Sequence, residues 1–178
     1  MEEIAVFIRG VNVGGNTNVD MSTLKKSMEA LGYSRVRTWL NTGNLLLGSE
    51  KSVAEAIDDT NKVLATKFNF PGPCLAFTRT ELANILAYSP WQNGAEEDPA
   101  KRLIYLLSQQ PDESSLATLK THPSMVENFY PSKSALYVYH DQGAGRSKCN
   151  SAFLEGILSS TVTARNWNTL GTVLGMMK

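Results

Sequence analysis

The feature that most constrains this chain is the order of strand-like and helix-like segments in its first 78 residues. Strand patterns place apolar residues at every second position, whereas helix patterns repeat them every three or four positions. By these criteria the order is strand, helix, strand, strand, helix, strand, in the ranges 4–9, 21–31, 35–40, 45–48, 53–70 and 74–78. Few topologies accommodate such an order, because connections are short and do not cross.

Residues with capping and turn preferences mark the boundaries of these segments. Asp20 is predicted to cap the first helix, and Ser52 with Glu55 has the spacing of a capping box for the second. The segment 41–44, Asn-Thr-Gly-Asn, tolerates positive φ and predicts a hairpin between the second and third strands. A Pro-Gly-Pro break at 71–73 follows the second helix. The caps and turns therefore agree with the periodicity.

This order is the split βαβ arrangement of ferredoxin-like domains, in which two helices cover one face of a four-stranded antiparallel sheet. A second capping box, Thr78 with Glu81, opens a short helix, and a similar α/β rhythm follows it. The rhythm consists of a strand, a helix, a hairpin and two final helices, with the first four elements at 101–107, 112–120, 128–130 and 135–140. We predict an α+β protein with a ferredoxin-like βαββαβ lobe at residues 1–78 and a second, similar α/β lobe, packed on it, at residues 79–178.

Composition excludes several classes of protein. Hydrophobic residues make up 42% of the chain and no segment is of low complexity, which is typical of a globular protein. Lys plus Arg and Asp plus Glu both total 17, so no global charge attracts nucleic acid. No basic or amphipathic presequence is recognisable, and no apolar run approaches the ~20 residues of a membrane span. We expect a cytoplasmic protein with no membrane contact.

The cysteines and histidines do not suggest a metal or a cofactor. Cys74 and Cys149 are far apart and lack the spacing of a metal site or a disulfide framework. Cys74 lies in an apolar run and is interpreted as a reduced core residue. His122 and His140 are isolated, and we expect them in loops or on the surface. No metal and no cofactor is therefore predicted.

The segment 9–18 is the first candidate binding element. It holds three glycines and three asparagines, directly after a strand and before a helix. Glycine permits close backbone approach to a ligand, and a helix N-terminus offers N–H groups to an anion. However, the segment lacks a lysine and both standard glycine-rich phosphate motifs. An ordinary connection between strand and helix explains it equally well.

Two later segments have a similar character. In 143–148, Arg146 and Lys148 precede a helix, where cations oppose the helix dipole unless a ligand anion or a carboxylate lies between. In 163–169, Thr163 is a potential cap for a final helix that Trp167 anchors in the core, which leaves Arg165 and Asn166 available. A solvated loop remains the simpler interpretation of the first of these segments.

If the fold brings the three segments together, they form one cleft for a small anion, such as a nucleotide or another phosphorylated metabolite. The predicted ligand-binding residues are Arg9, Asn12, Gly14, Gly15, Asn44, Arg146, Lys148, Arg165 and Asn166. No nucleophile with a base and no split pair of carboxylates is recognisable, so the sequence leaves open whether the protein is an enzyme. Catalytic residues and the oligomeric state are not predicted.

Two alternatives stay open. Arg35, Arg37 and Trp39 alternate onto one face of the first sheet, where Phe7 and Arg9 can join them. Such a face is typical of single-stranded nucleic-acid platforms, although the third strand lacks the aromatic pattern of an RNA-recognition motif. Burial of that face is the competing interpretation. In the other alternative, the three segments have a purely structural role in joining the lobes.

Four separated segments, taken together, carry a resemblance. Residues 7–15, 36–44, 145–148 and 163–169, in this order, resemble a widespread bacterial family of uncharacterised small proteins, filed as a domain of unknown function. The resemblance covers essentially the whole chain, and it implies two ferredoxin-like halves without any activity or substrate. The family usually has lysines where this chain has Gly-Asn-Thr-Asn at 15–18, and often Lys-Leu near 171–173. Both departures remove positive charge and weaken a general nucleic-acid role.

Overall fold

The structure, a computed structural model, describes residues 2–12, 18–91 and 98–178. Within these ranges the first half of the chain contains β1 (Glu2–Ile8), α1 (Met21–Ala30), β2 (Ser34–Trp39), β3 (Asn44–Ser49), α2 (Val53–Phe68), β4 (Cys74–Thr78) and α3 (Arg79–Ala87). The second half contains β5 (Arg102–Leu107), α4 (Glu113–Thr121), β6 (Phe129–Pro131), β7 (Ala135–Tyr139), α5 (Ser151–Leu158), β8 (Val162–Asn166) and α6 (Trp167–Met176).

Two compact units make up the chain. One extends to Asn84 and also takes in Thr172–Lys178, and the other is Ile85–Gly171. The boundary predicted after Thr78 stays a prediction, and each unit is described below by itself.

The two units share one strand topology. The first sheet has the order β2-β3-β1-β4 and the second the order β6-β7-β5-β8, and all pairs are antiparallel. Each order corresponds to the second, third, first and fourth strands of a βαββαβ unit, which is the ferredoxin-like arrangement. The predicted α+β fold is therefore confirmed, including the similarity of the second half to the first.

Alternation along the strands produces the two cores. In β1, Ile4, Val6 and Ile8 are almost fully buried and pack with Leu24 and Met28 of α1. In the second unit the corresponding layer contains Tyr105, Leu107, Leu119, Leu136, Val138, Leu154 and Val162. Each core thus lies between one face of a sheet and the helices that cross over it.

The predicted caps form as hydrogen bonds. Asp20 Oδ1 accepts the Thr23 N–H at 2.7 Å, and Ser52 with Glu55 forms a reciprocal capping box. At the start of α3, the Thr78 N–H donates to Glu81 Oε2 at 2.9 Å. Such contacts satisfy N–H groups that a helix cannot pair internally, so the sequence located these helix starts correctly.

One prediction about the second unit was wrong. Thr163 does not cap a helix, because residues Val162–Asn166 form β8, which pairs with β5, and α6 begins only at Trp167. The strand is five residues long. Its identity depends on its partner strand, which local periodicity does not reveal.

No helix within residues 2–12, 18–91 and 98–178 has both the length and the apolar character needed to cross a bilayer.

Candidate ligand pocket beside the second sheet

A cavity of about 500 Å³ lies in the second unit, where β7 ends. Three stretches of chain enclose it: the connection from α4 to β6, the end of β7, and the loop that leads into α5. The lining residues are Pro123, Ser124, Val126, Glu127, Asn128, Tyr139, His140, Asp141, Gln142, Gly143, Arg146, Ser147 and Lys148. The cavity therefore includes the Gly/Arg/Lys segment that the sequence singled out.

The loop before α5 presents two cations to this cavity. Gly143 has φ of 83°, a conformation that favours glycine, and a short 3₁₀ turn follows over Ala144–Arg146. Arg146 and Lys148 are both exposed and both line the cavity. Neither side chain makes an ion pair with any residue in the described part of the chain. Both cations are thus available to an anion from solution.

Ser147 holds the loop before α5 in place through two hydrogen bonds of its hydroxyl group. Its hydroxyl donates a short hydrogen bond to Glu127 Oε1 and accepts the Cys149 N–H at 2.9 Å. One residue further on, Asn150 Oδ1 accepts the Phe153 N–H and caps α5. The loop is therefore tied to the α4–β6 connection and to the helix that follows.

His140 lies at the floor of the cavity and not on the surface. The residue is 1% exposed, so the expectation of a surface position was wrong, although it does follow β7 in a loop. Tyr105 explains its placement: the phenol donates to the Cys149 carbonyl at 2.8 Å and lies 3.0 Å from His140 Nε2. Because the single phenolic proton is used by the carbonyl, Nε2 must donate to the phenol oxygen. This arrangement sets the tautomer and turns Nδ1 toward Glu127.

Burial sets the protonation of this group. It lowers the pKa of His140 below its usual value, and the neighbouring Glu127 only partly opposes the shift. Burial also raises the pKa of Tyr105 far above its usual value. Near neutral pH the imidazole is therefore neutral, with its proton on Nε2 and an acceptor lone pair on Nδ1.

Two buried acceptors at this floor have no partner in the described part of the chain. They are Nδ1 of His140 and Oε2 of Glu127, whose side chain is only 9% exposed. The distance from Nδ1 to Glu127 Oε1 is 3.5 Å, which is too long for a strong hydrogen bond, and neither atom carries a proton to donate. A buried polar atom without a partner is costly, so a hydrogen-bond donor beside either acceptor would be stabilising.

The charged side chains that line the cavity are Arg146, Lys148, Glu127 and Asp141. Asp141 has Lys101 within 3.7 Å. Glu127 is only 9% exposed, whereas Arg146 and Lys148 are exposed. Within the described ranges, no group of three or more His, Cys, Asp or Glu side chains is placed to hold a metal ion.

The other predicted residues of the second unit have structural contacts. Arg165 is 9% exposed in β8, and its Nη1 donates to Thr163 Oγ1 at 2.9 Å and to the Ala164 carbonyl at 2.8 Å. Burial lowers the pKa of Arg165 to about 10. Asn166 donates to the Ala100 carbonyl at 3.1 Å and accepts the Asn168 N–H at the start of α6. Neither residue lines the cavity beside β7.

The predicted residues of the first unit also hold local structure. Asn12, at φ of 55°, accepts the Val19 N–H at 2.8 Å and donates to the carbonyls of Val19 and Asn41. Asn44 is 1% exposed and donates to the Trp39 carbonyl across the hairpin turn. These amides thus close the connection after β1 and the turn between β2 and β3.

Three predicted residues remain. Arg9 is partly buried just after β1, and its main-chain N–H donates to the Pro73 carbonyl at 2.9 Å. Gly14 and Gly15 lie outside the described residues. The predicted convergence of all nine residues on one cleft stays a prediction.

The open face predicted for the first sheet is largely engaged by the protein itself. Phe7 has no exposed surface, so its ring cannot stack on a base. Arg37 binds both oxygens of the buried Glu3 at 2.8 and 2.9 Å, and Nη1 of the same arginine donates to the Met176 carbonyl. Arg35 approaches Glu3 to 3.5 Å from a bulge in β2, where its φ is 48°. Arg37 is therefore paired with a buried carboxylate of the same unit, and Arg35 lies within ion-pair distance of the same carboxylate.

Sequence reasoning missed the floor of the cavity. Tyr105, Glu127 and His140 belong to no local motif. Tyr105 lies beside His140 because β5 and β7 are neighbours in the sheet, and Glu127 lies beside His140 because β6 pairs with β7. The only available signal was a histidine directly after an apolar strand, which is a weak indication on its own.

Comparisons with known proteins identify a family and a fold. One solved structure, the conserved bacterial protein SP0830 from Streptococcus pneumoniae, is similar with a TM-score of 0.77 and 20% sequence identity over 99% of both chains. At that identity the likeness shows a common fold. No curated protein matches the chain. A family model described as a protein of unknown function matches residues 1–137, and the chain therefore belongs to the DUF1697 family.

Proposed function

We propose that the protein binds a small anionic ligand, such as a nucleotide or another phosphorylated metabolite, in the cavity beside β7. Arg146 and Lys148 hold the anionic group at the mouth of the cavity. The observation that carries this proposal is that both side chains line the cavity and are exposed, and that neither pairs with a carboxylate of the described residues. Two uncompensated cations on one short loop attract a phosphate or carboxylate group.

The size and surroundings of the cavity support a small molecule. A volume of about 500 Å³ is within the range of about 300–1,000 Å³ that is usual for small-molecule sites. Longer anions such as nucleic acid require an extended basic surface, and the chain has no net positive charge. A cytoplasmic location is part of the proposal, since two buried, reduced cysteines suit a reducing compartment.

The ligand-binding set proposed from the structure is narrower than the sequence suggested. Asn12, Asn44 and Asn166 already use their side-chain amides on main-chain groups, so they shape loops. Arg146 and Lys148 remain as the residues that contact the anion, with Glu127 and His140 beneath them.

A titration followed by NMR tests the proposal. Inorganic phosphate, adenosine monophosphate and a panel of small phosphate and carboxylate compounds are added to labelled protein, and dissociation constants are fitted. We expect saturable binding of at least one compound, weakened about 5- to 20-fold by Arg146→Ala or Lys148→Ala, since a charge-assisted hydrogen bond contributes about 1–2 kcal/mol. Lys133→Ala is the matched control, because Lys133 is exposed in the same unit but does not line the cavity.

Two results would overturn the proposal. One is the absence of saturable binding at millimolar concentrations across the panel. The other is an equal loss of affinity in the Lys133→Ala control, which would indicate attraction to the surface in general.

A further inference from the structure

The two side chains at the floor of the cavity, His140 and Glu127, bear on which second chemical group a ligand would carry. Below the two cations lie His140, 1% exposed, and Glu127, whose side chain is 9% exposed. One atom of each, Nδ1 and Oε2, is buried without a partner among the described residues. Both residues line the cavity, although these two atoms themselves are buried.

The chemistry of the two atoms specifies what that molecule must offer. A carboxylate oxygen only accepts hydrogen bonds. Nδ1 of His140 accepts as well, because Nε2 carries the imidazole proton in its contact with Tyr105. Glu127 Oε1 is already occupied by the Ser147 hydroxyl, so Oε2 is the oxygen that remains. Two adjacent acceptors are complemented by donors, and a methyl or methylene group leaves both of them unsatisfied.

The other polar and charged side chains nearby do not donate a hydrogen bond to Glu127 Oε2 or His140 Nδ1. Tyr105, from β5, uses its proton on the Cys149 carbonyl. Lys101 lies within ion-pair distance of Asp141, and Arg146 and Lys148 are exposed at the mouth. Among the described residues, no donor reaches Glu127 Oε2 or His140 Nδ1.

We infer that the ligand is a small anion that also carries a hydroxyl or ammonium group, with the anion held by Arg146 and Lys148 and the donor group by Glu127 Oε2 and His140 Nδ1. The inference rests on the proposed function and deepens it. It specifies a class of bifunctional compounds, the hydroxylated or aminated phosphates and carboxylates.

Three phosphate probes of equal length test the inference, because they differ only in the terminal group. They are n-propyl phosphate, 2-hydroxyethyl phosphate and 2-aminoethyl phosphate, with methyl, hydroxyl and ammonium ends. Butyrate, 3-hydroxypropanoate and β-alanine form the matching carboxylate series. We expect the hydroxyl or the ammonium compound to bind about tenfold or more tightly than the methyl compound, the ratio expected for one hydrogen bond to a charged acceptor.

Two variants separate the roles of floor and mouth. Glu127→Gln keeps an oxygen for Ser147 but replaces the second acceptor by an amide donor, so the preference should fall to within about threefold. Arg146→Ala should weaken all three phosphates by a similar factor and preserve their ratio. Glu113→Gln, an exposed carboxylate on α4, is the control and should change neither quantity.

A measurement on the unaltered protein covers the case in which Glu127→Gln does not fold. The ¹⁵N resonance of His140 Nδ1 should shift on addition of 2-hydroxyethyl or 2-aminoethyl phosphate and remain in place with n-propyl phosphate. Equal affinities within each series, or an equal response of Nδ1 to the methyl compound, would overturn the inference and leave the proposed function standing. If no member of either series binds while another compound of the panel does, only the inference fails; if nothing binds, both fail.

Discussion

At the scale of single residues, the account depends on two buried polar side chains that line the cavity, His140 and Glu127. Tyr105 holds one ring nitrogen of His140, and Glu127 faces the other at 3.5 Å. Most buried polar atoms in proteins have a hydrogen-bond partner. Here two buried acceptors without a partner among the described residues belong to side chains that line one cavity, where a ligand would complete the hydrogen bonding.

The protonation of His140 predicts a dependence of stability on pH. Its pKa in the folded protein is lowered by burial, so the unfolded chain takes up a proton first as the pH falls. The contribution of His140 to the free energy of unfolding is therefore complete above the unfolded pKa of about 6.5, and it is lost as the pH falls from there toward the folded pKa. Urea denaturation at several pH values from 7.5 to 5 should show this loss, with a limiting slope of about 1.4 kcal/mol per pH unit.

His140→Gln is the matched variant, since glutamine keeps a donor for Tyr105 but does not titrate in this range. Its stability should change less with pH over the same interval. Parallel curves for the two proteins would contradict the assignment of a neutral, buried imidazole.

Substitution of Asn12, in the first unit, is predicted to lower the free energy of unfolding. Asn12→Ala removes the hydrogen bonds of the side-chain amide with Val19 and Asn41 and places alanine at φ of 55°, which alanine adopts less readily than asparagine. We expect a loss of about 2–4 kcal/mol in the free energy of unfolding, measured by denaturant titration. Asn12→Gly removes the same bonds without the strain and should be less destabilising. If alanine and glycine are equally mild, the side chain does not hold the connection.

At the scale of elements, the sequence located most helices and strands because local signals and packing agree. The cap at Asp20 and the boxes at Ser52 and Thr78 are all formed, and the strands predicted at 4–9 and 101–107 correspond to β1 and β5. Local signals failed for β8, whose five residues are a strand only because β5 lies alongside. They failed for the cavity floor for the same reason, since Glu127 and His140 meet through the order of strands.

The β2–β3 turn shows how strongly one element can depend on glycine. A Cβ at Gly43 would lie 2.5 Å from Val11 Cγ1 and 2.9 Å from Ile8 Cβ, and φ is 80°. Gly43→Ala should therefore lower the free energy of unfolding by several kcal/mol, about 2–4, in a denaturant titration. Gly156→Ala, in α5 with no atom near its Cβ position, is the control and should be neutral or slightly stabilising. A similar small effect at both glycines would contradict the packing of this turn.

At the scale of the whole molecule, the chain repeats one strand order in two units. Its last residues, Thr172–Lys178, belong to the first unit. Glu3 in β1 accepts from Arg37 and from the main-chain N–H of Lys178, while Arg37 and Arg79 donate to the carbonyls of Met176 and Met177. The buried carboxylate thus joins the two ends of the chain within one unit.

The ion pair between Glu3 and Arg37 predicts that removing one partner lowers the free energy of unfolding more than removing both charges. Arg37→Met leaves the carboxylate of Glu3 without its main partner and should lower the free energy of unfolding by about 3–5 kcal/mol. The double variant with Glu3→Gln removes the uncompensated charge and should recover part of that loss. A double-mutant cycle measured by denaturant titration tests this, and strictly additive effects would show that the pair is not coupled.

The central claim is that the cavity beside β7 binds a small anion. The most direct measurement is a map of amide chemical-shift changes when 2-hydroxyethyl phosphate is added to ¹⁵N-labelled protein. We expect saturable chemical-shift changes concentrated at residues 124–128 and 139–149. Arg146→Ala should weaken the binding that causes them. Absence of change, or changes centred on the lysine-edged groove between α1 and α2 at Lys26, Lys62 and Lys67, would contradict it.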